Sequence, residues 1–388
     1  MRYAGVLVLL LLAGCASDRR EVAFSPVGYD LGVSPARGAA VNGPVVLLTD
    51  HDRARDCHPV FAAGWLYFAS DRDGDGFNIY RKRLDARAAE RLTAMEGDEY
   101  WPRVTVDGHW LAFGGNARGH WDIYLVDLTA VGPPQLLTPA DRQDCVQPAW
   151  SPDGRNVVYS GYSPTLDGWT IRGITFVDPA PPPEEPVPSA MPDRVTPVST
   201  GVRRPAIRAG NNASPQIETV GYRPKPVEAN NAPPPLRAIS SHWNLLAAGN
   251  VPLRGLHADY AADGSRLAYQ EYRRDDSSWY LVKVYDFSSG LTTTLSPPRG
   301  YGAIQPRFAP DGTLVFLTSA KAGARPETGD GFALVDLSGN VLRDIRNPLG
   351  RGEVSDPAIA VVDGKAQLIF SWADGDGESL CWLTLPGP

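Results

Sequence analysis

Residues 147–160 read Gln-Pro-Ala-Trp-Ser-Pro-Asp-Gly-Arg-Asn-Val-Val-Tyr-Ser. The middle, Ser151-Pro152-Asp153-Gly154, has the chemistry of a tight turn. Proline sets φ at the first corner, aspartate bonds its own backbone, and glycine takes the left-handed position. Apolar residues on both sides make the stretch a β-hairpin.

The same stretch returns along the chain. His58-Pro59-Val60-Phe61, Trp101-Pro102-Arg103-Val104, Gln305-Pro306-Arg307-Phe308 and Asp356-Pro357-Ala358-Ile359 match its opening. A sixth copy, His257-Ala258-Asp259-Tyr260, has lost its proline. The turn recurs as Asp107-Gly108, Asp263-Gly264, Asp311-Gly312 and Asp363-Gly364, while the first copy keeps only Gly64. Strands are expected after the turns over 65–69, 110–114, 157–160, 266–270, 314–318 and 367–371. A third strand follows, as in Asp122-Ile123-Tyr124-Leu125, and a short fourth, as in Gln135-Leu136-Leu137. Four short strands per repeat, at 43 to 51 residues where copies adjoin, are the signature of a β-propeller blade.

The sequence therefore predicts an all-β, six-bladed propeller. Residues 44–49 look like a last strand with no blade before them, and the final copy stops after its third strand. The N-terminal strand is expected to complete the last blade, which removes an exposed sheet edge. Between the third and fourth copies lies a Pro-rich insertion, at about 179–240. Residues 178–235 hold 15 of the 36 prolines, a composition that reads as exposed and partly extended chain. A degenerate seventh blade over 205–247 is the alternative, since Pro205-Ala206-Ile207 copies a blade opening.

These motifs resemble the TolB-type propeller repeats of bacterial periplasmic proteins, with the same Ser-Pro-Asp-Gly turn and Asp-Ile-Tyr strand. The resemblance covers roughly 44–178 and 243–386. It implies the fold and leaves the function open. The segment before the repeats is too short for the α/β domain that precedes the propeller in TolB, so a relative of TolB is expected rather than TolB itself.

The start of the chain reads as an address. Arg2 precedes an apolar run from Ala4 to Ala13, too short for a permanent membrane span, and the run ends in Leu12-Ala13-Gly14-Cys15. This resembles a bacterial lipoprotein signal. Residues 1–14 would be removed, and Cys15 would carry diacylglycerol and an N-acyl chain such as palmitate. Three acyl chains anchor stably where one does not. Ala16 and Ser17 after the Cys, with no Asp at the second position, imply the outer membrane by resemblance to enteric sorting rules. Residues 15–43, polar and weakly patterned, are expected to be a lipidated tether.

Composition bounds the partners. The 388 residues carry 37 basic and 44 acidic groups, a formal charge of −7, so nothing draws the chain to nucleic acid. With Cys15 lipidated, Cys57, Cys145 and Cys381 remain, and no disulfide framework is expected.

The residue before the proline position is His58, Trp101, Gln147, His257, Gln305 and Asp356 in the six copies. In one register these six face one ring at the channel mouth, where propellers meet ligands. Their types suit hydrogen bonding to a sugar or peptide and, less well, metal ligation. Asp56, Glu99, Asp144 and Glu353, with Asp98, are expected to form an acidic rim that steers a cation or basic surface. Asp71, Asp73, Asp75 and Gly76 imitate the start of a calcium loop, but Lys82 stands where the closing Glu belongs, so no metal is expected. The chain has no nucleophile elbow, phosphate loop, dinucleotide fingerprint or zinc motif.

The expected function is a non-catalytic scaffold, lipid-anchored and facing the periplasm, that binds a protein, peptide or envelope polymer across its mouth. The competing reading is a metal-dependent lyase or other enzyme acting on a saccharide there, with His58, Gln147, His257 and Gln305 as the suitable residue types.

Overall fold

A computed structural model of the chain describes residues 45–49, 54–130, 132–139, 142–177, 237–247, 250–272, 280–295, 302–319, 329–375 and 377–385. The lipoprotein signal with Cys15, the tether and the core of the Pro-rich insertion lie outside the described residues. Every regular element among those described is a β-strand.

The first strand, β1 (Val46–Leu47), stands alone in sequence. Blade I is β2 (Asp56–Ala62), β3 (Trp65–Ser70), β4 (Asn78–Lys82) and β5 (Glu90–Arg91). Blade II is β6 (Glu99–Val104), β7 (Trp110–Gly115), β8 (Asp122–Asp127) and β9 (Gln135–Leu136). Blade III is β10 (Cys145–Trp150), β11 (Asn156–Ser163), β12 (Gly168–Phe176) and β13 (Ile239–Asn244). A small hairpin, β14 (Leu246–Ala247) and β15 (Val251–Pro252), leads to blade IV. Blade IV is β16 (Leu256–Tyr260), β17 (Arg266–Tyr272), β18 (Tyr280–Asp286) and β19 (Thr292–Leu295). Blade V is β20 (Gly302–Phe308), β21 (Leu314–Ser319), β22 (Gly331–Val335) and β23 (Val341–Arg346). Blade VI is β24 (Glu353–Val362), β25 (Lys365–Ala373) and β26 (Glu378–Thr384), completed by β1 in the order β1-β26-β25-β24.

The six antiparallel sheets form a ring. Inner strands touch in the order β2, β6, β10, β16, β20, β24 and back to β2. The expected clasp is present: Val46 pairs with Trp382 and Leu47 with Cys381, and Leu48 N–H donates to the Leu380 carbonyl at 2.7 Å. The insertion interrupts blade III between its third and fourth strands. Strand β13 returns from beyond it to pair Ile174 with His242 and Gly173 with Trp243. The described residues thus give six blades, with no seventh.

Second strands read as continuous apolar runs because both of their faces are covered. In β3, Leu66 and Phe68 pack toward blade VI while Tyr67 and Ala69 pack toward blade II. The pattern repeats, so the core is six separate clusters, one at each junction between blades. Cys145 and Cys381 are buried in such clusters and outside any disulfide, whereas Cys57, against the expectation of no disulfide, is disulfide-bonded, and not to either of these two.

Candidate functional site: a hydrogen-bonded ring in the channel

Each inner strand carries a β-bulge at the same place. Pairing with the second strand skips between Cys57 and Val60, Tyr100 and Arg103, Val146 and Ala149, Leu256 and Asp259, Ile304 and Arg307, and Ser355 and Ala358. The first skipped residue is left-handed in all six blades: His58, Trp101, Gln147, His257, Gln305 and Asp356 have φ between 50° and 56°. That conformation costs a side-chain-bearing residue roughly 1–2 kcal/mol. The second skipped residue needs no N–H for the ladder, and five of the six are proline. The six residues that the repeat aligns are therefore the six backbone specials of the inner strands, and all are more than nine-tenths buried.

The bulge turns a backbone N–H away from its own sheet, and the neighbouring blade supplies the acceptor. Gln147 Oε1 accepts the His257 N–H at 2.9 Å. Gln305 Oε1 accepts the Asp356 N–H at 2.8 Å, and Asp356 Oδ2 accepts the His58 N–H at 3.3 Å. The Gln305 N–H goes to Oε1 of Gln270, a β17 residue, at 3.0 Å. Side chains then close the same bridges. His58 Nδ1 lies 2.8 Å from Asp356 Oδ1, and Gln305 Nε2 donates to that oxygen at 3.2 Å. Gln147 Nε2 lies 2.9 Å from His257 Nε2. Because Gln147 Oε1 is already an acceptor, Nε2 is the donor, and His257 Nε2 must accept as a neutral imidazole.

Electrostatics agree with that tautomer. Burial pushes the His257 pKa well below its ordinary value, and Arg307 nearby adds to the effect. Asp356 goes the other way. Burial opposes its charge, but His58 beside it holds the carboxyl down to about 2. Trp101 joins by packing: its ring centroid is 5.6 Å from His58 and 5.0 Å from Trp121. It lies against Gly114, where a Cβ would come within 2.7 Å of the ring, so blade II admits the indole only over a glycine.

With this geometry established, the chain can be set beside known proteins. No family model and no curated protein sequence matches it. Solved structures do match, at low identity. TolB from Acinetobacter baumannii has a TM-score of 0.49 at 17% identity, over 81% of this chain and 57% of that one. A protein assigned as TolB from Agrobacterium tumefaciens has a TM-score of 0.48 at 16% identity, over 86% and 91%. An oligogalacturonate lyase in complex with manganese has a TM-score of 0.47 at 15% identity, over 90% and 94%. These are likenesses of fold. The chain spans little more than half the length of the Acinetobacter TolB.

The acidic groups do not sit where a rim was expected. Asp56 and Glu99 begin inner strands and are fully buried. Asp56 Oδ1 accepts from Arg72 Nη2 at 2.8 Å, and Oδ2 has no partner among the described residues. Glu99 accepts from the Thr93 hydroxyl and, at 2.6 Å, from the Met95 N–H, while burial raises its pKa. Half-buried Asp144 accepts the Trp121 N–H at 2.9 Å, and Asp98 likewise accepts the Phe77 N–H at 3.0 Å. Both staple a connector to the start of a third strand. Glu353 alone is exposed. A further buried carboxylate, Glu378, adjoins Ser355 Oγ; burial, then the Asp356 charge, raises its pKa well above the ordinary value.

The calcium-like loop is spent on cations. Asp71 pairs with Arg55 at 2.8 Å, and Asp73 and Asp75 pair with Arg91 at 3.3 and 3.0 Å. Among the described residues no three His, Cys, Asp or Glu come together as metal ligands. His58 and His257 each face a protein partner on a separate bridge, so the ring's residues do not form a metal cage in this arrangement.

One set of inner-strand residues escaped the sequence reading. Arg103, Asp259 and Arg307 stand two positions after the left-handed residue in blades II, IV and V. The signal was present in Trp101-Pro102-Arg103 and Gln305-Pro306-Arg307: an arginine at the same place in two copies of the repeat.

Proposed function

We propose that this protein is a lipid-anchored propeller of the bacterial outer membrane, held at Cys15 and facing the periplasm. Its channel face binds a protein, peptide or envelope polymer without catalysis. The observation that supports binding over catalysis is the ring of bridges. His58, Gln147, His257, Gln305 and Asp356 direct their polar atoms to one another and to backbone N–H groups of the next blade. Groups held this way make a preorganised surface, in which an approaching partner meets fixed edges and the Trp101 indole. His257 Nε2, Gln147 Oε1, Gln305 Oε1 and the Asp356 carboxylate each accept a hydrogen bond in these bridges, which favours a structural, preorganising role over one as nucleophile or metal ligand.

The test keeps the bridges and changes the surface. His58→Asn retains a donor near the Nδ1 position, and His257→Gln retains an acceptor near the Nε2 position. The double variant should stay folded by circular dichroism and recover at least tenfold less crosslinked partner from detergent-solubilised membranes. Undiminished recovery would remove this face from the function. Elemental analysis of tag-free protein addresses the saccharide-lyase reading, since a stoichiometric divalent metal would restore it. Metabolic labelling with palmitate, lost in Cys15→Ser, tests the anchor.

A further inference from the structure

Away from the ring of left-handed residues, two loops of neighbouring blades enclose a pocket of about 420 Å³. One loop is 116–121, between β7 and β8 of blade II; the other is 142–144, which leads into β10 of blade III. Arg118, Gly119, His120 and Arg142 line the pocket, so each lining residue other than the glycine is basic. Backbone bonds pin both loops. The Trp121 N–H donates to Asp144 Oδ1 at 2.9 Å, and the Cys145 N–H returns to the Trp121 carbonyl at 2.8 Å. At the far end of the first loop, Asn116 Oδ1 accepts the Asp98 N–H at 2.8 Å, and the Asn116 N–H donates to the Asp98 carbonyl at 3.2 Å. Within blade III, Arg172 Nη2 donates to Gln143 Oε1 at 2.9 Å, and the Tyr162 N–H to the Asp144 carbonyl at 2.8 Å. The basic side chains therefore stand on loops already held in place, which lowers the cost of ordering them around a ligand.

One carboxylate touches this group from beneath. Asp122 is fully buried at the start of β8, and its Oδ1 accepts from the Thr138 hydroxyl at 2.8 Å. Its Oδ2 lies 3.4 Å from Arg118 Nη1 and 3.2 Å from His120 Nε2. His120 Nδ1 donates to the Arg118 carbonyl at 3.2 Å, which fixes the imidazole as a wall. Asp122 thus orients Arg118 and occupies one of its five N–H donors. Arg142 has no such partner: it is exposed, and among the described residues its side chain makes no hydrogen bond or ion pair. Its φ is 58°, a backbone that glycine adopts freely and an arginine adopts under strain. A planar guanidinium fork takes two oxygens at once, so two forks bordering one pocket suit the several oxygens of a phosphate better than the two of a carboxylate. The volume falls in the range of small-ligand pockets, roughly 300–1,000 Å³, and leaves room for a group attached to the phosphate.

We propose that Arg118 and Arg142 form a phosphate-binding site on the loops between blades II and III, which takes the phosphate group of a small ligand. Asp122 is the positioning residue for Arg118, and Arg142 is the group that the ligand neutralises. The site goes beyond the channel-face reading and does not rest on it, since no residue of the ring of left-handed residues lines the pocket.

The full chain in non-ionic detergent is titrated calorimetrically with inorganic phosphate and, separately, with glucose 6-phosphate, at constant ionic strength in chloride buffer. One saturable site is expected, and the tighter probe tells free phosphate from a phosphate ester as its ligand. Arg118→Gln/Arg142→Gln should weaken that site at least tenfold. Arg142→Gly alone suits the left-handed backbone, so it keeps the fold while removing one guanidinium, and it too should weaken the site. This single change serves if the double variant fails to fold by circular dichroism. The control is Arg266→Gln/Arg346→Gln, which removes the same two charges from blades IV and V, where these arginines pair with Asp286 and Asp344. Absence of a saturable site for both probes, full binding in Arg142→Gly and in the Arg118/Arg142 pair, or equal weakening in the control pair would each overturn the proposal. Partner recovery by the His58/His257 double variant tests the channel face separately, so either reading can fail without the other.

Discussion

The III–IV and VI–I junctions use one backbone device with different chemistry. In both, a left-handed residue on an inner strand reaches to the N–H of its counterpart on the next blade. Between blades III and IV the bridge is neutral, Gln147 to His257. Between blades VI and I it is charged, Asp356 to His58, and it lies in the blade that also clasps the N-terminal strand. The repeat fixes the geometry of the bridge, and the residue type fixes how it responds to acid. Burial holds His257 neutral in the fold, whereas an unfolded chain protonates it near its ordinary value. The III–IV bridge therefore has full strength above about pH 6.5 and weakens as pH falls below that. Asp356 is depressed in the fold, so its contribution is complete above an ordinary aspartate pKa and is lost only as pH falls toward about 2.

The largest effect should come from breaking the charged bridge. Asp356 accepts from the His58 N–H, His58 Nδ1, Gln305 Nε2 and the hydroxyls of Ser355 and Ser371. Asp356→Ala leaves those buried groups facing a void. It should cost about 3–5 kcal/mol, read by urea unfolding. The neutral bridge should cost less. Gln147→Ala strands the His257 N–H and is expected to lose about 1–3 kcal/mol. If the two variants cost the same, charge does not distinguish the junctions.

Glu378 sharpens the contrast with a change of sign. Its carboxyl is buried beside Asp356 and binds its proton more tightly in the fold than in the unfolded chain. Its favourable contribution is complete below an ordinary glutamate pKa and is lost as pH rises through the folded value. Glu378→Gln, which keeps a neutral hydrogen-bonding group beside Ser355 Oγ, should raise the thermal midpoint at neutral pH and leave it nearly unchanged at pH 4. An unchanged midpoint at both would mean that Glu378 is not held protonated.

Most of the fold was legible because a repeat shows its register in one dimension. Six copies of one strand opening, five of them followed by the same Asp-Gly turn, place His58, Trp101, Gln147, His257, Gln305 and Asp356 in equivalent positions without any coordinates. The clasp followed from an orphan strand at one end and a missing one at the other. What stayed hidden depends on neighbours far apart in sequence. Nothing in 239–244 says that β13 pairs with β12 across an insertion of some sixty residues. Asp56 and Glu99 looked like loop carboxylates, because their partners Arg72 and Thr93 become partners only through the strand register. Arg103 and Arg307 are 204 positions apart, and only the ring order shows that they stand on opposite blades.

The smallest effect should be found at the clasp. Regular pairing there covers only Val46 and Leu47, but Thr49 adds a side-chain bond: its Oγ1 accepts the Leu380 N–H at 2.9 Å, and Thr49 is buried. Thr49→Val keeps the shape and removes the acceptor, which should cost about 1 kcal/mol. The Leu48 N–H still reaches the Leu380 carbonyl, and Lys82 Nζ still caps the Leu48 carbonyl at 2.6 Å, so the strand stays docked. Amide exchange gives the sharper readout. If β1 is what seals blade VI, exchange at Leu380 should quicken in Thr49→Val while Val158 in blade III is unaffected. Equal quickening at both would mean that the ring opens as one unit and that the clasp is not its weakest closure.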